Sequence, residues 1–73
     1  MNYIELVVGM DNGYAAIPIT HAWANILKRS KSVGDLKTLV MSHGVNWNRV
    51  IYAKIEEQKD GEFSIHNLLD CSG

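Results

Sequence analysis

The chain has 73 residues, of which 47% are hydrophobic and 21% charged, and its formal net charge is −1. This composition is too apolar for a disordered tail, the length suits one small domain, and the weak charge argues against a general nucleic-acid coat. We therefore expect residues 1–73 to form a single small globular domain. The lone cysteine, Cys71, excludes an internal disulfide, and the sequence shows neither a signal-peptide pattern nor an apolar run of membrane-spanning length, which is typical of a cytosolic protein.

The charges are unevenly distributed along the chain. Basic side chains outnumber acidic ones in residues 1–49, and the reverse holds in residues 50–73. A small protein with such a polarised charge distribution is more easily interpreted as a docking module than as an enzyme.

Residues 3–18 are predicted to form a β-hairpin. Alternating apolar residues precede Asn12-Gly13, a dipeptide that strongly favours a two-residue turn, and this turn sets Val8 opposite Ile17. Pro18 lacks the N–H that the ladder would need, so either the pairing stops near Ile17 or this strand lies at a sheet edge.

Two helices are predicted next. Thr20 is placed to cap a helix that runs to about Arg29, and Ser32 with Asp35 has the spacing of a capping box for a second helix that ends at Gly44. The residues expected to face inward are Ala22, Trp23, Ile26 and Leu27 on the first helix and Val33, Leu36, Leu39 and Val40 on the second.

Residues 45–71 are predicted to form a second hairpin, because apolar residues fall on odd positions in both arms. A two-residue Asp60-Gly61 turn would set odd positions opposite even ones, so we predict a three-residue Lys59–Gly61 loop that pairs Ile55 with Ile65 and Ile51 with Leu69. The residues expected inside are Val45, Trp47, Ile51, Ala53, Ile55, Phe63, Ile65, Leu69 and Cys71, and the expected core aromatics are Trp23, Trp47 and Phe63.

The element order is therefore ββααββ. Because an isolated two-stranded ribbon is only marginally stable, we expect an α+β fold, with an antiparallel β-sheet from the two hairpins and the two short helices packed on one face. Whether the hairpins join edge to edge stays open.

Residues able to carry chemistry do not form a recognisable site, and we expect no catalytic, cofactor-binding or metal-binding residues. The candidate metal ligands His21, His43, His66 and Cys71 are spread over different elements. Ser42 and His43 are adjacent on a helix, where neighbours point in different directions, and no acidic residue orients the histidine. His66 is expected on the polar side of its strand across from Lys54. The acids near the second turn, Glu56, Glu57, Asp60 and Glu62, are expected to be a solvated cluster.

Two surface features could bind a partner. Lys28, Arg29 and Lys31 form a basic segment, which could either dock an acidic surface or simply compensate a helix dipole. On the side of the sheet away from the helices, an exposed apolar patch is expected from Tyr3, Tyr14, Val50, Tyr52 and Leu68.

The stretches MNYIELVVGMDNGYAAIP and HAWANILKRSKSVGDLKTL resemble a family of small early regulators with which lytic bacteriophages take over host transcription. The type concerned binds host RNA polymerase and is known from a Xanthomonas oryzae phage. The resemblance implies a protein of the host bacterial cytoplasm that binds the polymerase, inhibits sigma-dependent initiation and favours terminator read-through. Neither stretch is a motif tied to a mechanism.

The leading hypothesis is a non-enzymatic, monomeric regulator without cofactors that docks a polymerase subunit. The candidate partner-binding residues are Lys28, Arg29, Lys31, Tyr3, Tyr14 and Tyr52. Two alternatives remain. The first is an inhibitor of a host defence nuclease or other host enzyme that acts as an acidic decoy, and the second is a small nucleic-acid-binding module. Under the leading hypothesis, direct contact with nucleic acid would be secondary.

Overall fold

A computed structural model describes residues 2–30 and 33–70 of the chain. The elements, in order, are β1 (Tyr3–Met10), β2 (Gly13–Pro18), α1 (His21–Ser30), α2 (Val33–Ser42), a short 3₁₀ helix (Trp47–Arg49), β3 (Val50–Lys59) and β4 (Glu62–Asp70). The predicted ββααββ order and α+β class are confirmed. The predictions for Lys31, Ser32 and Cys71 lie outside the described residues.

The four strands form a single antiparallel sheet in the order β2-β1-β3-β4. The two hairpins therefore join edge to edge, through β1 and β3. The core is aliphatic and lies between the helices and one face of the sheet, which we call the inner face. Its buried residues are Ile4, Leu6, Val8, Ile17, Ala24, Leu27, Leu36, Leu39, Val40, Ala53 and Ile55.

The first hairpin turns at Asp11-Asn12, one residue earlier than predicted, and Gly13 follows with a φ of 144°. Val8 therefore faces Ala15 rather than Ile17. Because the register differs from the predicted one by two residues, the inner face stays apolar. Strand β2 ends at Pro18 and lies at the sheet edge, as its missing N–H predicts.

Helix α1 begins as predicted, because the N–H of Trp23 bonds the Thr20 hydroxyl at 3.2 Å. Its buried residues are Ala24 and Leu27, with Trp23 partly buried beside them. Ala22 and Ile26 were predicted to face inward but are exposed. The helix faces the sheet with the side that carries Ala24 and Leu27. The predicted inward-facing side, centred on Ala22 and Ile26, is rotated about the helix axis relative to the observed one.

Helix α2 buries Leu36, Leu39 and Val40 as predicted, whereas Val33 at its first position is exposed. Its C-terminal end has the bonds of a Schellman motif: the N–H of Gly44 donates to Met41 O at 3.0 Å, and that of Val45 to Val40 O at 3.3 Å. Gly44 has a φ of 82°, as its predicted role as helix terminator requires.

The turn of the second hairpin differs from the prediction. Asp60 and Gly61 form a two-residue turn with φ values of 53° and 82°, and Lys59 pairs with Glu62. Two positive φ angles give the turn the twist that suits two adjacent strands, and aspartate tolerates this conformation. Odd positions consequently face even ones, so Phe63 and Ile65 lie on the sheet face away from the helices. The predicted inward positions of Phe63 and Ile65 are therefore wrong.

Two β-bulges account for the remaining differences. Met10 pairs with Val50 and Gly9 with Tyr52, which leaves Ile51 as an extra residue in β3. Val50 thus packs against the core in place of Ile51, which is exposed. A second irregularity leaves Leu68 extra in β4, and both Leu68 and Leu69 contact the core. Val50 and Leu68 therefore do not belong to the outward patch predicted from the sequence.

Trp47 lies in the 3₁₀ helix rather than in a strand. Both Trp47 and Val45 are partly buried and pack against the core, so their predicted inward direction holds. Phe63, the third predicted core aromatic, is exposed.

Candidate functional site

The sheet face opposite the helices, which we call the outer face, is left uncovered by the described elements. Strand alternation places Tyr3, Tyr14 and Tyr52 on it, together with Phe63 and Ile65. The exposed fractions are 38% for Tyr3, 71% for Tyr14, 53% for Phe63 and 50% for Ile65. A group of exposed aromatic and aliphatic side chains on one sheet face is typical of a protein-binding surface.

The three tyrosines of the outer face differ in accessibility. Gly9 lies between Tyr14 on β2 and Tyr52 on β3, directly opposite both. The Tyr52 ring lies over Gly9, where an added Cβ would meet ring atom Cε1 at 1.7 Å. Gly9 is buried as a result, and Tyr52 is only partly exposed. Tyr52 thus covers backbone, whereas Tyr3 and Tyr14 present more of their surface to a partner.

Phe63 and Ile65 are members of the outer face that sequence reasoning missed. Phe63 lies in the same cross-strand row as Tyr3, because Gln58 of β3 pairs with Tyr3 on one side and with Phe63 on the other. The signal was present in the sequence: the dipeptide Asp60-Gly61 favours a two-residue turn, which places these two side chains outward.

The outer face also carries charge. Glu5 of β1 lies directly opposite Glu56 of β3. Lys54 forms an ion pair with Glu56 at 3.2 Å, and Glu5 has no ion pair within the described part of the chain. Because Lys54 already pairs with Glu56, Glu5 is the carboxylate of the two beside which a cationic group from a partner would be favoured.

The basic segment lies on the other side of the sheet. Lys28 Nζ donates to Glu57 Oε1 at 3.1 Å, joining α1 to the inner face of β3. This hydrogen bond lowers the pKa of the Glu57 carboxyl from its ordinary value, burial opposes the shift, and the positive charges of Lys28, His21 and Lys59 reinforce it. Arg29 is exposed. The basic segment and the three tyrosines therefore do not form one continuous surface.

The four acids near the second turn are divided by the strand geometry. Glu56 points to the outer face and Glu57 to the inner face, and each is paired with a lysine. Asp60 and Glu62 are exposed beside the turn. The N–H of Asp60 donates to the side chain of Asn2 at 3.0 Å, so this hairpin end is attached to the start of β1.

The side chains of Ser42 and His43 are closer than predicted, with 3.3 Å between Ser42 Oγ and His43 Nδ1. Both, however, lie near the carbonyl oxygen of Leu39, at 2.6 Å from Ser42 Oγ and 3.1 Å from His43 Nδ1. The serine hydroxyl donates to that carbonyl instead of to the imidazole. The pair therefore caps the end of α2 and lacks the arrangement of an activated nucleophile.

The histidines were not expected to ligate metal, and one of them is placed differently from the prediction. His66 faces Ile55 on the inner side of β4, whereas Lys54 faces Asn67, because the two-residue turn changes the register. Within residues 2–30 and 33–70, no three His, Cys, Asp or Glu side chains are grouped to hold a metal ion.

A small cavity of about 160 Å³ lies between the helices and β4. It is lined by Leu27, Lys28, Val33, Leu36, His66, Asn67 and Leu68. Typical ligand pockets are larger, about 300–1,000 Å³, so this cavity could accept one side chain but not a substrate of ordinary size.

Comparisons of the chain with protein-family models, curated proteins and solved structures found no match. Neither described helix has the length and apolar character needed to cross a membrane.

Proposed function

We propose that this chain is a non-enzymatic phage regulator that binds a subunit of host RNA polymerase in the bacterial cytoplasm, inhibits sigma-dependent initiation and favours terminator read-through. The polymerase as partner is suggested by the sequence resemblance. The observation that carries the proposal is the uncovered outer face, with Tyr3, Tyr14, Phe63 and Ile65 exposed on it. Aromatic side chains on a rigid sheet supply large contact area at a small entropic cost.

The charge of the outer face supports a protein partner with a basic group. Glu5 lies between Tyr3 and the more distant Tyr14 and has no ion pair within the described residues, so an arginine or lysine of the polymerase could bind there while its neighbours cover the aromatic rings. The basic segment on the opposite side is a secondary contact. Lys28 is already paired with Glu57, which leaves Arg29 as its freer charge in the described part of the segment.

The two alternatives receive less support. An acidic decoy needs a concentrated negative surface, but Glu56 and Glu57 point to opposite faces and are each neutralised by a lysine. A nucleic-acid-binding module needs a patch of free cations. Lys28 and Lys54 are engaged in these ion pairs, and the exposed Arg29, Lys37, Arg49 and Lys59 are distributed over α1, α2, the 3₁₀ helix and the end of β3. Binding to RNA or DNA that weakens steeply with added salt would favour the second alternative over our proposal.

The first experiment measures binding of the purified chain to purified bacterial RNA polymerase. The outer-face variant Tyr3→Ala/Phe63→Ala should lose at least about ten-fold in affinity, since exposed aromatic residues are the usual anchors of an interface. The matched control is Ile26→Ala/Met41→Ala, which removes two exposed apolar side chains from the helices. We expect the control to bind as wild type does. Equal affinities for both variants, or no binding of wild type to any polymerase subunit, would contradict the proposal.

The second experiment is transcription in vitro with the same proteins. Wild type should reduce initiation from a sigma-dependent promoter and increase read-through at a terminator, whereas Tyr3→Ala/Phe63→Ala should do neither. A binding-competent wild type that changes neither activity would leave the docking surface intact but refute the regulatory role.

A further inference from the structure

Strand β4 forms one edge of the sheet, and among the described strands only β3 pairs with it. Lys59 pairs with Glu62 across the two-residue Asp60-Gly61 turn. The residues that flank such a turn form a hydrogen-bonded pair, so the backbone groups of Glu62 point toward β3. Backbone direction alternates along an antiparallel strand, which turns the N–H and C=O of Phe63 and Ile65 away from β3. Strand β4 thus presents a row of backbone groups able to bond another strand.

Residues 62–67 of this edge lack two of the features that usually prevent strand pairing, proline and lysine. These residues are all exposed. The opposite edge is different, because β2 has only six residues and ends at Pro18, which cannot donate a hydrogen bond. The irregularity at Leu68 interrupts β4, so the segment available for pairing is residues 62–67.

The segment is complementary to itself when two copies run antiparallel around a two-fold axis at Ser64. Phe63 then faces Ile65 of the second copy on the outer side, and Ile65 faces Phe63. On the inner side, Glu62 faces His66 of the second copy, which brings a carboxylate opposite an imidazole. The outward-pointing backbone groups of Phe63 and Ile65 also meet in this register, forming hydrogen-bonded pairs.

We propose that the chain forms a homodimer by pairing β4 with β4 of a second copy in this register, giving one continuous eight-stranded sheet. The neighbouring register, centred on Ile65, would place Glu62 opposite Leu68 and Phe63 opposite Asn67, so it loses both the carboxylate–imidazole pair and the apolar pair. The dimer replaces the monomer expected from the sequence. It also places Tyr3, Phe63 and Ile65 of both copies on one surface.

The register is tested by cysteine cross-linking in a Cys71→Ser background. Ser64→Cys should form a disulfide-linked dimer on mild oxidation, because the two residues face each other directly as a non-hydrogen-bonded pair, with Cα atoms about 4.5 Å apart. Asn67→Cys is the matched control on the same strand, and it should stay monomeric because the two copies of Asn67 lie at opposite ends of the paired segment. Cross-linking of Asn67→Cys as fast as that of Ser64→Cys would overturn the proposal.

Sedimentation equilibrium of the purified chain tests association itself. His66→Glu places two pairs of carboxylates opposite each other and should weaken the dimer at least ten-fold. Glu62→Lys/His66→Glu places a lysine opposite each of these carboxylates and should recover the wild-type dissociation constant. A wild-type chain that stays monomeric up to millimolar concentration, or a double variant as weak as His66→Glu, would overturn the proposal. These measurements use the chain alone, so their outcome is independent of polymerase binding.

Discussion

Tyr52 and Gly9 form a pair in which an aromatic ring fills the place of a missing side chain. The ring lies where the Cβ of any other residue at position 9 would be, so glycine is required sterically, by close approach. Covering a strand glycine in this way shields its backbone from water and contributes to pairing between β1 and β3. Tyr52 therefore has a structural role in addition to its proposed contact with a partner.

Replacing Gly9 with alanine should destabilise the protein by about 1–2 kcal/mol, because the new Cβ displaces the Tyr52 ring. In a Tyr52→Ala background the same change should cost about 0 kcal/mol, since the ring is no longer there to be displaced. Urea denaturation of the four proteins measures this coupling. Equal costs in the two backgrounds would show that the ring does not lie on Gly9.

The ion pair between Lys28 and Glu57 predicts that the free energy of unfolding depends on pH in the acidic range. The pKa of Glu57 is lower in the folded protein than its ordinary value of 4.5, mainly because Lys28 donates a hydrogen bond to the carboxylate. A carboxyl with a lowered pKa stabilises the fold above its ordinary pKa, and this contribution is lost as the pH falls through the folded value. Both side chains are partly exposed, at 31% and 18%, so the effect should be modest.

We therefore expect the urea midpoint of wild type to fall more steeply between about pH 6 and about pH 3 than that of Glu57→Gln. Lys28→Met should flatten the same pH profile, because it removes the group that lowers the pKa. The matched control is Asp11→Asn, which replaces an exposed carboxyl in the first turn that has no ion pair within the described residues, and it should keep the wild-type slope. A Glu57→Gln profile parallel to that of wild type would contradict this account.

At the scale of elements, the second hairpin shows how a turn and two bulges determine which residues enter the core. Ile55 and Ile65 have the same parity and similar flanking residues, yet Ile55 is 1% exposed and Ile65 is 50% exposed. The two-residue turn separates them, since it sets Ile55 opposite His66 instead of Ile65. Parity along one strand predicts its own faces well, but the relation between two strands depends on the turn.

These two isoleucines make a matched pair of variants. Ile55→Ala should cost about 2–5 kcal/mol, because it leaves a cavity beneath the helices. Ile65→Ala should cost less than about 1 kcal/mol, since the side chain is half exposed. Thermal or urea denaturation distinguishes the two, and equal destabilisation would restore the pairing of Ile55 with Ile65 that the sequence pattern first indicated.

The elements most accessible to sequence reasoning were those defined by local chemistry. The Thr20 cap and the Gly44 terminator follow from neighbouring residues and were predicted correctly. The edge position of β2 is one of the two outcomes that Pro18 predicted. The bulge at Ile51 was not predictable, because an extra residue is defined only relative to the partner strand. The prediction of a three-residue loop was wrong because it assumed that the apolar residues of both strands lie on the same face of the hairpin.

The candidate site was predicted in part for the same reason. The outward direction of Tyr3, Tyr14 and Tyr52 follows from strand alternation, and the structure places all three on the outer face. The separation of this face from the basic segment follows from helices that pack on the opposite face, but the partner of Lys28 could not be foreseen. Lys28 pairs with Glu57, a residue 29 positions away, so its direction depends on tertiary packing.

At the scale of the whole molecule, the two faces of the sheet have different roles. The inner face, covered by the helices, contributes most of the stability, and the outer face, which the described elements leave uncovered, is the proposed binding surface. The core cluster is aliphatic and lies on the inner side. The exposed aromatic residues lie on the outer side, where Val7 is also buried. Changes on the outer face should therefore affect partners more than folding.

This division gives a prediction for the outer-face variant. Tyr3→Ala/Phe63→Ala should keep its free energy of unfolding within about 1–2 kcal/mol of wild type, because both side chains are substantially exposed. Its circular dichroism spectrum and urea midpoint should be close to those of wild type, while the proposed binding to polymerase should be lost. Global unfolding of this variant would show instead that the outer aromatic residues are part of what holds the sheet together.

The strand order also has a consequence for biosynthesis. β1 is made first but lies in the middle of the sheet, with β2 on one side and β3 on the other. The first hairpin can form early during translation. The other edge of β1 stays unpaired until β3, which begins only at Val50, has been synthesised. Because non-local strand pairing of this kind is slow, the nascent chain emerges from the ribosome with an apolar hairpin that only its last third can complete.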